Sequence, residues 1–239
     1  MTPLVAGALS AIASYGIGSL PFGFLTAKLV RGIDIREYGS RNVGATNVAR
    51  VLGAKWGAAV LVVDALKGAL PVLLLPRLLA GDSETGLQHV AVVCAVAAML
   101  GHMFPCWLKF RGGKGVATAA GVVLVLAPWA SVGAMATFGI VFAICRIVSL
   151  SSILAVSVFA ALQMVLLQPD PFGPETWSVA AFSLGAPALI IYRHRSNIGR
   201  LWRGEEPRFR AGGASAETPE SRDPAASKPR ESSSAPPKT

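Results

Sequence analysis

Long apolar runs alternate with short polar connectors along most of this 239-residue chain. The apolar residues are contiguous and do not follow the spacing of a helix with one buried face, and such runs are typical of helices that cross a membrane. The pattern therefore predicts an all-α, polytopic membrane protein. Its apolar segments are Leu4–Ala27, Trp56–Leu79, Leu87–Leu108, Gly115–Cys145, Ile147–Leu167 and Thr176–Tyr192.

The segment Gly115–Cys145 is too long for one straight span. As a single helix it would measure roughly 46 Å, whereas the hydrocarbon core of a bilayer is about 30 Å thick. Division at Pro128-Trp129 gives two pieces that are each short for a full crossing. Two arrangements follow: seven transmembrane helices, which we prefer, or five helices and a re-entrant hairpin.

The connectors differ in charge, and the difference predicts an orientation. Three connectors are basic: Lys28–Lys55, Lys109–Lys114 and Arg193–Arg210. In Gln168–Glu175 the only charged residues are acids. Basic connectors face the cytoplasm. They lie on one side only if Gly115–Cys145 crosses twice, or enters and returns on the same side. The N-terminus is therefore predicted outside and the C-terminus in the cytoplasm.

The composition supports a membrane protein. Charged residues make up 15% of the chain, compared with about 25% in soluble domains. The formal net charge of +9 is assigned to connectors that face anionic lipid, so no nucleic-acid partner is expected. Residues 211–239, rich in Ser, Pro and Ala, are predicted to form a disordered cytoplasmic tail behind a membrane domain of residues 1–210.

The connector Asp34–Arg50 is dense in Gly, Asn, Ser, Thr and Arg. Small residues let backbone N–H groups approach a ligand, and the hydroxyl, amide and guanidinium groups supply further donors. The composition is that of an anion-binding loop. The alternative interpretation is an ordinary positive-inside connector.

The run Gly112-Gly113-Lys114-Gly115 immediately precedes a predicted helix. Glycine N–H groups, a helix N-terminus and an ammonium group together suit a phosphate. The run is not a Walker A loop, because Leu108 stands where the first Gly is required and Gly115 replaces Ser or Thr. A flexible basic turn is the alternative.

A third polar cluster, Arg193–Glu206, follows the last apolar segment and is predicted on the same membrane face. Neighbouring arginines disfavour the imidazolium form of His194, so a neutral histidine is expected. No His is followed by Asp at the fifth position, so the dyad of one large class of glycerolipid acyltransferases is absent from the sequence. No metal-binding motif is found either, so neither a metal nor a cofactor is expected.

Asp64 and Lys67 lie inside an apolar segment, on one face of the predicted helix. Charges within the membrane are costly and usually face each other or a polar cavity. We predict a mutual ion pair, with direct substrate contact as the alternative.

The three clusters together resemble the acyl-phosphate-dependent glycerol-3-phosphate acyltransferase family (PlsY) of bacterial membranes. The resemblance extends over essentially Leu4–Phe209. One departure is Arg41, where the family usually has Gly; a positive φ at this position would strain an arginine. The matching stretches are Asp34–Arg50, Gly101–Thr118 and Arg193–Glu206, with Ser19–Gly23 and Asp64–Gly68 in support.

The resemblance implies an acyltransferase of phospholipid biosynthesis in the bacterial inner membrane, with its active site facing the cytoplasm. It implies transfer of a fatty acyl group from acyl-phosphate to the sn-1 hydroxyl of glycerol-3-phosphate, giving lysophosphatidic acid and phosphate. A monomer surrounded by membrane lipids is expected. The implied catalytic residues are Ser40, Arg50, Lys114 and His194. The implied substrate-binding residues are Asn42, Thr46, Asn47, His102, Gly112, Gly113, Asn197 and Glu206.

Two alternatives stay open at the level of sequence. The general base is either His194 or the phosphate of the acceptor itself; the phosphate is favoured because the sequence supplies no carboxylate partner beside His194. An acyl-serine at Ser40 is disfavoured, since no Ser–His–Asp order is recognisable. The rival function is a transporter of a phosphorylated solute, but no internal repeat is evident and the motifs lie at one membrane face.

Overall fold

The computed structural model describes residues 3–79 and 84–210. The predicted tail, residues 211–239, lies outside the described residues. Within those two ranges the regular structure is entirely helical, as predicted. The helices are α1 Pro3–Gly18, α2 Phe22–Arg31, α3 Ala45–Leu52, α4 Ala54–Leu79, α5 Glu84–Met103, α6 Val116–Leu126, α7 Pro128–Cys145, α8 Val148–Leu166, α9 Trp177–Arg193 and α10 Arg195–Trp202.

Five helical segments of the described chain are long and apolar enough to cross a membrane. Two further apolar helices, Val116–Leu126 and Trp177–Arg193, are shorter. Many outward-facing side chains of the long segments are large and apolar: Leu4, Leu61, Leu78 and Ile144 are all more than half exposed. A lipid environment would cover such side chains. The five segments are Leu4–Arg31, Ala54–Leu79, Gly86–Leu108, Pro128–Cys145 and Val148–Leu166.

The first apolar segment is not one straight helix. It breaks between Gly18 and Phe22, where Pro21 has no N–H group to continue the helical hydrogen bonding. Gly18 lies directly against the backbone of Ala98 in α5, so that a Cβ atom at Gly18 would overlap Ala98. Small residues at such a contact let two membrane helices approach closely.

The segment Gly115–Cys145 is divided at Ala127, and Pro128 begins the second helix. Lys114, just before α6, and Ser149, at the start of α8, join the same hydrogen-bonded network at one end of the bundle. The α6–α7 unit therefore runs out and returns, and the predicted division and return are confirmed. With eleven residues, α6 is roughly 16 Å long.

This returning path brings several helix ends together. Helices α2, α5, α7 and α9 end at the face where α4, α6 and α8 begin. Behind that face, α4, α5, α6 and α9 share an apolar core whose members include Val72, Met99, Met103, Val122 and Ile190. The core supports the connectors that carry the polar clusters of the sequence.

Candidate active site

Asn47 organises the connector Asp34–Arg50. Its side-chain nitrogen lies 3.2, 3.0 and 2.8 Å from the carbonyl oxygens of Ile35, Tyr38 and Asn42. Its side-chain oxygen accepts the N–H of Ser40 at 2.8 Å. Because Asn47 is buried, these bonds also satisfy polar groups that would be costly to leave unpaired. The amide therefore holds the shape of the loop.

Two residues in the left-handed region flank Ser40. Gly39 and Arg41 both have φ of 57°. Gly39 adopts this conformation without cost, whereas a residue with a side chain pays about 1–2 kcal/mol. The position of Arg41 thus does require a positive φ, which explains why glycine suits it. The turn leaves Ser40 exposed.

Helix α3 directs Thr46 and Arg50 to the same side, because they are one helical turn apart. The other side of α3 is buried, and Val48 and Val51 pack there in a core with Ile35. Burial lowers the pKa of the Arg50 guanidinium; the Glu206 carboxylate acts against this shift and the Arg200 charge adds to it. Arg50 therefore lies within electrostatic reach of α10 and the segment that follows it.

The glycines of the α5–α6 connector cover the end of α5. The N–H of Gly112 donates to the carbonyl of Met103, and the N–H of Gly113 donates to the carbonyl of His102, both at 3.1 Å. Arg193 donates to the Gly112 and Gly113 carbonyls at 3.0 and 2.9 Å. In this structure these two N–H groups are therefore not free to bind a phosphate, because they satisfy carbonyls at the end of α5.

The first turn of α6 is the better backbone donor in this region. Gly115 is its N-cap, with φ of 86°, and the helix begins at Val116. The first N–H groups of a helix have no helical carbonyl to bind, and the helix dipole favours an anion there. Lys114 thus stands beside an N-terminus suited to phosphate, as the sequence predicts.

A continuous chain of hydrogen bonds joins Lys114 to the C-terminal cluster. The Lys114 ammonium donates to the side-chain oxygen of Asn197 at 2.5 Å. The Asn197 nitrogen donates to one oxygen of Glu206 at 2.6 Å, and Ser149 donates to the same oxygen at 2.7 Å. Arg200 donates to the other oxygen at 2.7 Å. One carboxylate therefore gathers α10 and the start of α8 beside Lys114.

Two residues of this network are absent from the sequence-based assignment. Arg200 stands three positions after Asn197 on α10 and shares its face, so its spacing was a usable signal. Ser149 gave no such signal, because a serine at the edge of an apolar run has no distinguishing pattern.

The network is electropositive. Burial lowers the pKa of Lys114 to about 8; Glu206 opposes that shift, while Arg200, Arg50 and Arg193 add to it. Burial by itself raises the pKa of Glu206, but hydrogen bonds from Ser149, Asn197 and Arg200 outweigh burial and lower it overall. Lys114, Arg50 and Arg200 thus lie around the ionised Glu206 carboxylate, with Arg193 near Lys114, and this arrangement suits an anionic ligand.

His194 is buried beside this network in a defined tautomer. Its Nδ1 lies 2.8 Å from the Ile190 carbonyl, and since a carbonyl only accepts, Nδ1 carries the hydrogen. The Nε2 atom therefore keeps its lone pair. Burial lowers the pKa of His194 to about 4, and the nearby Lys114 and Arg193 add to the shift. This lowered pKa agrees with the predicted neutral histidine, and burial is its main cause.

His102 lies at the end of α5, beneath the glycine connector. Its ring packs directly against Gly113, and its Nδ1 is 3.8 Å from a carboxylate oxygen of Asp64. Asp64 is itself paired with Lys67 at 2.7 Å, so the predicted ion pair is confirmed. His102, Asp64 and Lys67 line a cleft at the break between α1 and α2.

The structure therefore distributes the sequence-predicted residues unevenly. Arg50, Lys114, His194, Asn197 and Glu206 converge on one network. The remaining members lie in the connector Asp34–Arg50 with its helix α3, and at the end of α5 with the glycines that follow it. There, Asn47 and the glycines shape the backbone and His102 supports Gly113. These are Ser40, Asn42, Thr46, Asn47, Gly112, Gly113 and His102.

Comparison with known proteins gives a consistent result. The family model described as glycerol-3-phosphate acyltransferase matches residues 8–204. A glycerol-3-phosphate acyltransferase of Myxococcus xanthus (strain DK1622) is 47% identical over 195 residues, which are 82% of this chain and 95% of that protein. One from Anaeromyxobacter sp. (strain K) is 45% identical over 206 residues, covering 86% and 98%.

A solved structure agrees with the sequence relatives. The crystal structure of PlsY, an integral membrane glycerol 3-phosphate acyltransferase, in its glycerol 3-phosphate form, matches with a TM-score of 0.75 and 40% sequence identity. The match covers 85% of this chain and 96% of that one. The lysophosphatidic acid form matches with a TM-score of 0.73 and 39% identity.

Proposed function

The chain belongs to the glycerol-3-phosphate acyltransferase family, and on that premise we propose that its acyl donor is acyl-phosphate. The products are lysophosphatidic acid and inorganic phosphate, as a step of bacterial phospholipid synthesis. Family membership also decides against a transporter of a phosphorylated solute.

The convergence of Arg50, Lys114 and Arg200 around Glu206 carries this proposal. Both substrates bear a phosphate, so a site that holds them together must neutralise several negative charges. Acyl-phosphate is a mixed anhydride whose leaving group is a stable anion. Positioning and charge stabilisation by fixed cations therefore supply the main contributions to catalysis.

In the proposed reaction the sn-1 hydroxyl oxygen attacks the carbonyl carbon of acyl-phosphate. A new ester C–O bond forms, the C–O bond to phosphate breaks, and inorganic phosphate leaves. The hydroxyl proton passes to the phosphate of glycerol-3-phosphate. His194 is the weaker candidate for this role, because its pKa of about 4 makes it a poor base near neutral pH.

The site residues then divide by what they touch. Lys114 and Arg50 stabilise the phosphate charge of the substrates, and Asn197 holds the ammonium of Lys114 in place. His194, through Nε2, accepts a hydrogen bond from a substrate hydroxyl or phosphate. Around them, Ser40, Asn42 and Thr46 contribute donors from the first connector, which Asn47 shapes. Gly112, Gly113, His102 and Glu206 set the positions of the cationic groups.

We also propose a topology of seven crossings, with the network on the cytoplasmic side. The bent α1–α2 unit, α4, α5, α6, α7, α8 and α9 would be the crossing elements. The basic connectors on either side of the network support a cytoplasmic location in the inner membrane. A reporter fused after Arg203 should register as cytoplasmic; an external signal would reject this orientation.

The donor is tested with purified protein in lipid, labelled glycerol-3-phosphate, and an acyl group supplied as acyl-phosphate, acyl-coenzyme A or acyl carrier protein. Lysophosphatidic acid should form from acyl-phosphate alone, with one phosphate released per product. Product from another donor only would refute the donor proposal, and no product from any donor would refute the reaction. Lys114→Ala should abolish turnover, whereas Arg111→Ala, an exposed change in the same connector, should not.

A further inference from the structure

A charged pair lies inside α4 without contacting the cationic network. Lys67 Nζ is 2.7 Å from Asp64 Oδ1, and the two side chains are 4% and 2% exposed. Lys67 also donates to the Leu20 carbonyl at 2.8 Å, at the break between α1 and α2. A buried ion pair is weak evidence for stability, because apolar residues of similar volume often serve as well or better. Another role for the pair is therefore worth seeking.

His102 connects this pair to the glycine connector. The Asp64 oxygen that binds Lys67 is also 3.8 Å from His102 Nδ1. The opposite edge of the imidazole ring faces Gly113, and a Cβ atom at Gly113 would overlap His102 Nε2. The His102 carbonyl accepts the N–H of Gly113 at 3.1 Å. The connector thus rests on the His102 ring, whose other edge packs 3.8 Å from the Asp64 carboxylate.

Arg193 also binds the glycine connector. It donates to the carbonyls of both Gly112 and Gly113, and its guanidinium group lies 5.1 Å from the centre of the Phe104 ring. Gly113 is therefore clamped between Arg193 and His102. Lys114 is the next residue, so a displacement of Gly113 would move the backbone from which the Lys114 side chain reaches Asn197.

We propose that Asp64 and Lys67 are positioning residues for the phosphate-binding lysine. The ion pair orients His102, His102 supports the backbone of Gly113, and Gly113 sets the position of Lys114. This inference rests on the proposed function, since it assigns supporting residues to the same site. It assigns a functional role to a pair that is otherwise only an ion pair within α4.

The test replaces the pair with apolar residues of similar volume, Asp64→Leu with Lys67→Met. The Leu20 carbonyl keeps a second donor, the N–H of Phe22 at 3.1 Å. A matched control, Ser10→Ala with Ser14→Ala, also removes two buried polar side chains, far from the connector in sequence and on another helix. Folded protein is quantified by size-exclusion chromatography and thermal unfolding before kinetics.

The informative quantity is KM for glycerol-3-phosphate and for acyl-phosphate, measured with kcat per folded enzyme. Misplacing Lys114 by a fraction of an ångström should raise at least one KM about tenfold and lower kcat. A purely structural pair would reduce the yield of folded enzyme without changing KM. Wild-type KM and kcat in the double variant would overturn the proposal, and the serine control should keep both.

If the double variant does not fold, the isosteric Asp64→Asn decides the question. It keeps the side-chain volume and removes the charge that pairs with Lys67 beside His102, so KM should rise in the same direction. An unchanged KM would overturn the proposal. The wild-type assay comes first, since an inactive wild type would refute the acyltransfer proposal, whereas an active wild type with an unaffected variant refutes only the positioning role.

Discussion

The Lys114 ammonium donates a 2.5 Å hydrogen bond to the side-chain oxygen of Asn197, 83 positions later in the chain. The contact joins the α5–α6 connector to α10. Because the other end of the Asn197 amide is bound to Glu206, the orientation of the amide is fixed and its oxygen must face Lys114. An ordinary helical asparagine therefore determines where a buried positive charge lies.

The first prediction concerns pH. Burial lowers the pKa of Lys114 to about 8 from 10.5, so the ammonium is present below pH 8 and is lost as the pH rises through that value. If the charge stabilises phosphate, kcat/KM should fall above pH 8. Lys114→Arg should move this fall to higher pH, because an arginine stays protonated. If kcat/KM of both enzymes fell at the same alkaline pH, the fall would reflect the titration of a group other than Lys114.

The second prediction separates two adjacent carboxylates. The Glu206 side chain accepts three hydrogen bonds and is 5% exposed, whereas the Glu205 side chain is 57% exposed and pairs with Arg203, whose side chain is 60% exposed. Glu206→Gln would turn an N–H₂ group toward Arg200 or Asn197 and disturb the network. We expect kcat/KM to fall about tenfold or more, from loss of a charged hydrogen bond.

Glu205→Gln is the matched control for that experiment. An exposed ion pair is worth about 0–1 kcal/mol, so its loss should change kcat/KM by less than about fivefold. Equal effects of the two substitutions would show that overall charge near the C-terminal cluster matters and that the contacts of Glu206 do not.

The third prediction concerns Arg41. Its φ of 57° strains any residue with a side chain, and glycine removes that strain while adding entropy to the unfolded chain. Relief of the strain outweighs the added entropy of the unfolded chain, so Arg41→Gly should raise the free energy of unfolding by about 0.5–1 kcal/mol. Thermal unfolding in detergent should show a higher midpoint. Glu37→Gly, at an exposed position of the same loop outside the left-handed region, should lower it.

Local backbone chemistry made part of this fold predictable. The division of Gly115–Cys145 followed from Pro128, and the ion pair of Asp64 with Lys67 followed from spacing and the cost of a lone charge in a membrane. The return of the α6–α7 unit followed from connector charge. The sequence predicts Leu4–Ala27 as one continuous segment, because the run contains no charge. Pro21 was a usable signal of the helix break within it.

Long-range partners were the part that sequence could not supply. The glycines before Lys114 suggested free N–H donors, but whether an N–H is free depends on which carbonyls lie nearby, here those at the end of α5. The role of Ser149 depends on Glu206, 57 positions away. Such pairings arise from helix packing, to which the spacing of residues along the chain gives no access.

The last prediction tests the close contact between Gly113 and His102. A methyl group at Gly113 would overlap the imidazole ring, so Gly113→Ala must push the connector away and carry Lys114 with it. We expect a loss in kcat/KM of about tenfold to a hundredfold. Gly139→Ala, at a helical glycine with open space around its Cβ position, controls for the substitution itself and should have little effect.

The double variant identifies the cause of that loss. His102→Ala removes the ring with which the new methyl group collides, so His102→Ala with Gly113→Ala should lose no more activity than His102→Ala alone. Effects of contacting residues are non-additive in this way. If Gly113 were required for flexibility or for its own N–H group, the alanine would be as harmful without the ring as with it, and the two losses would add in full.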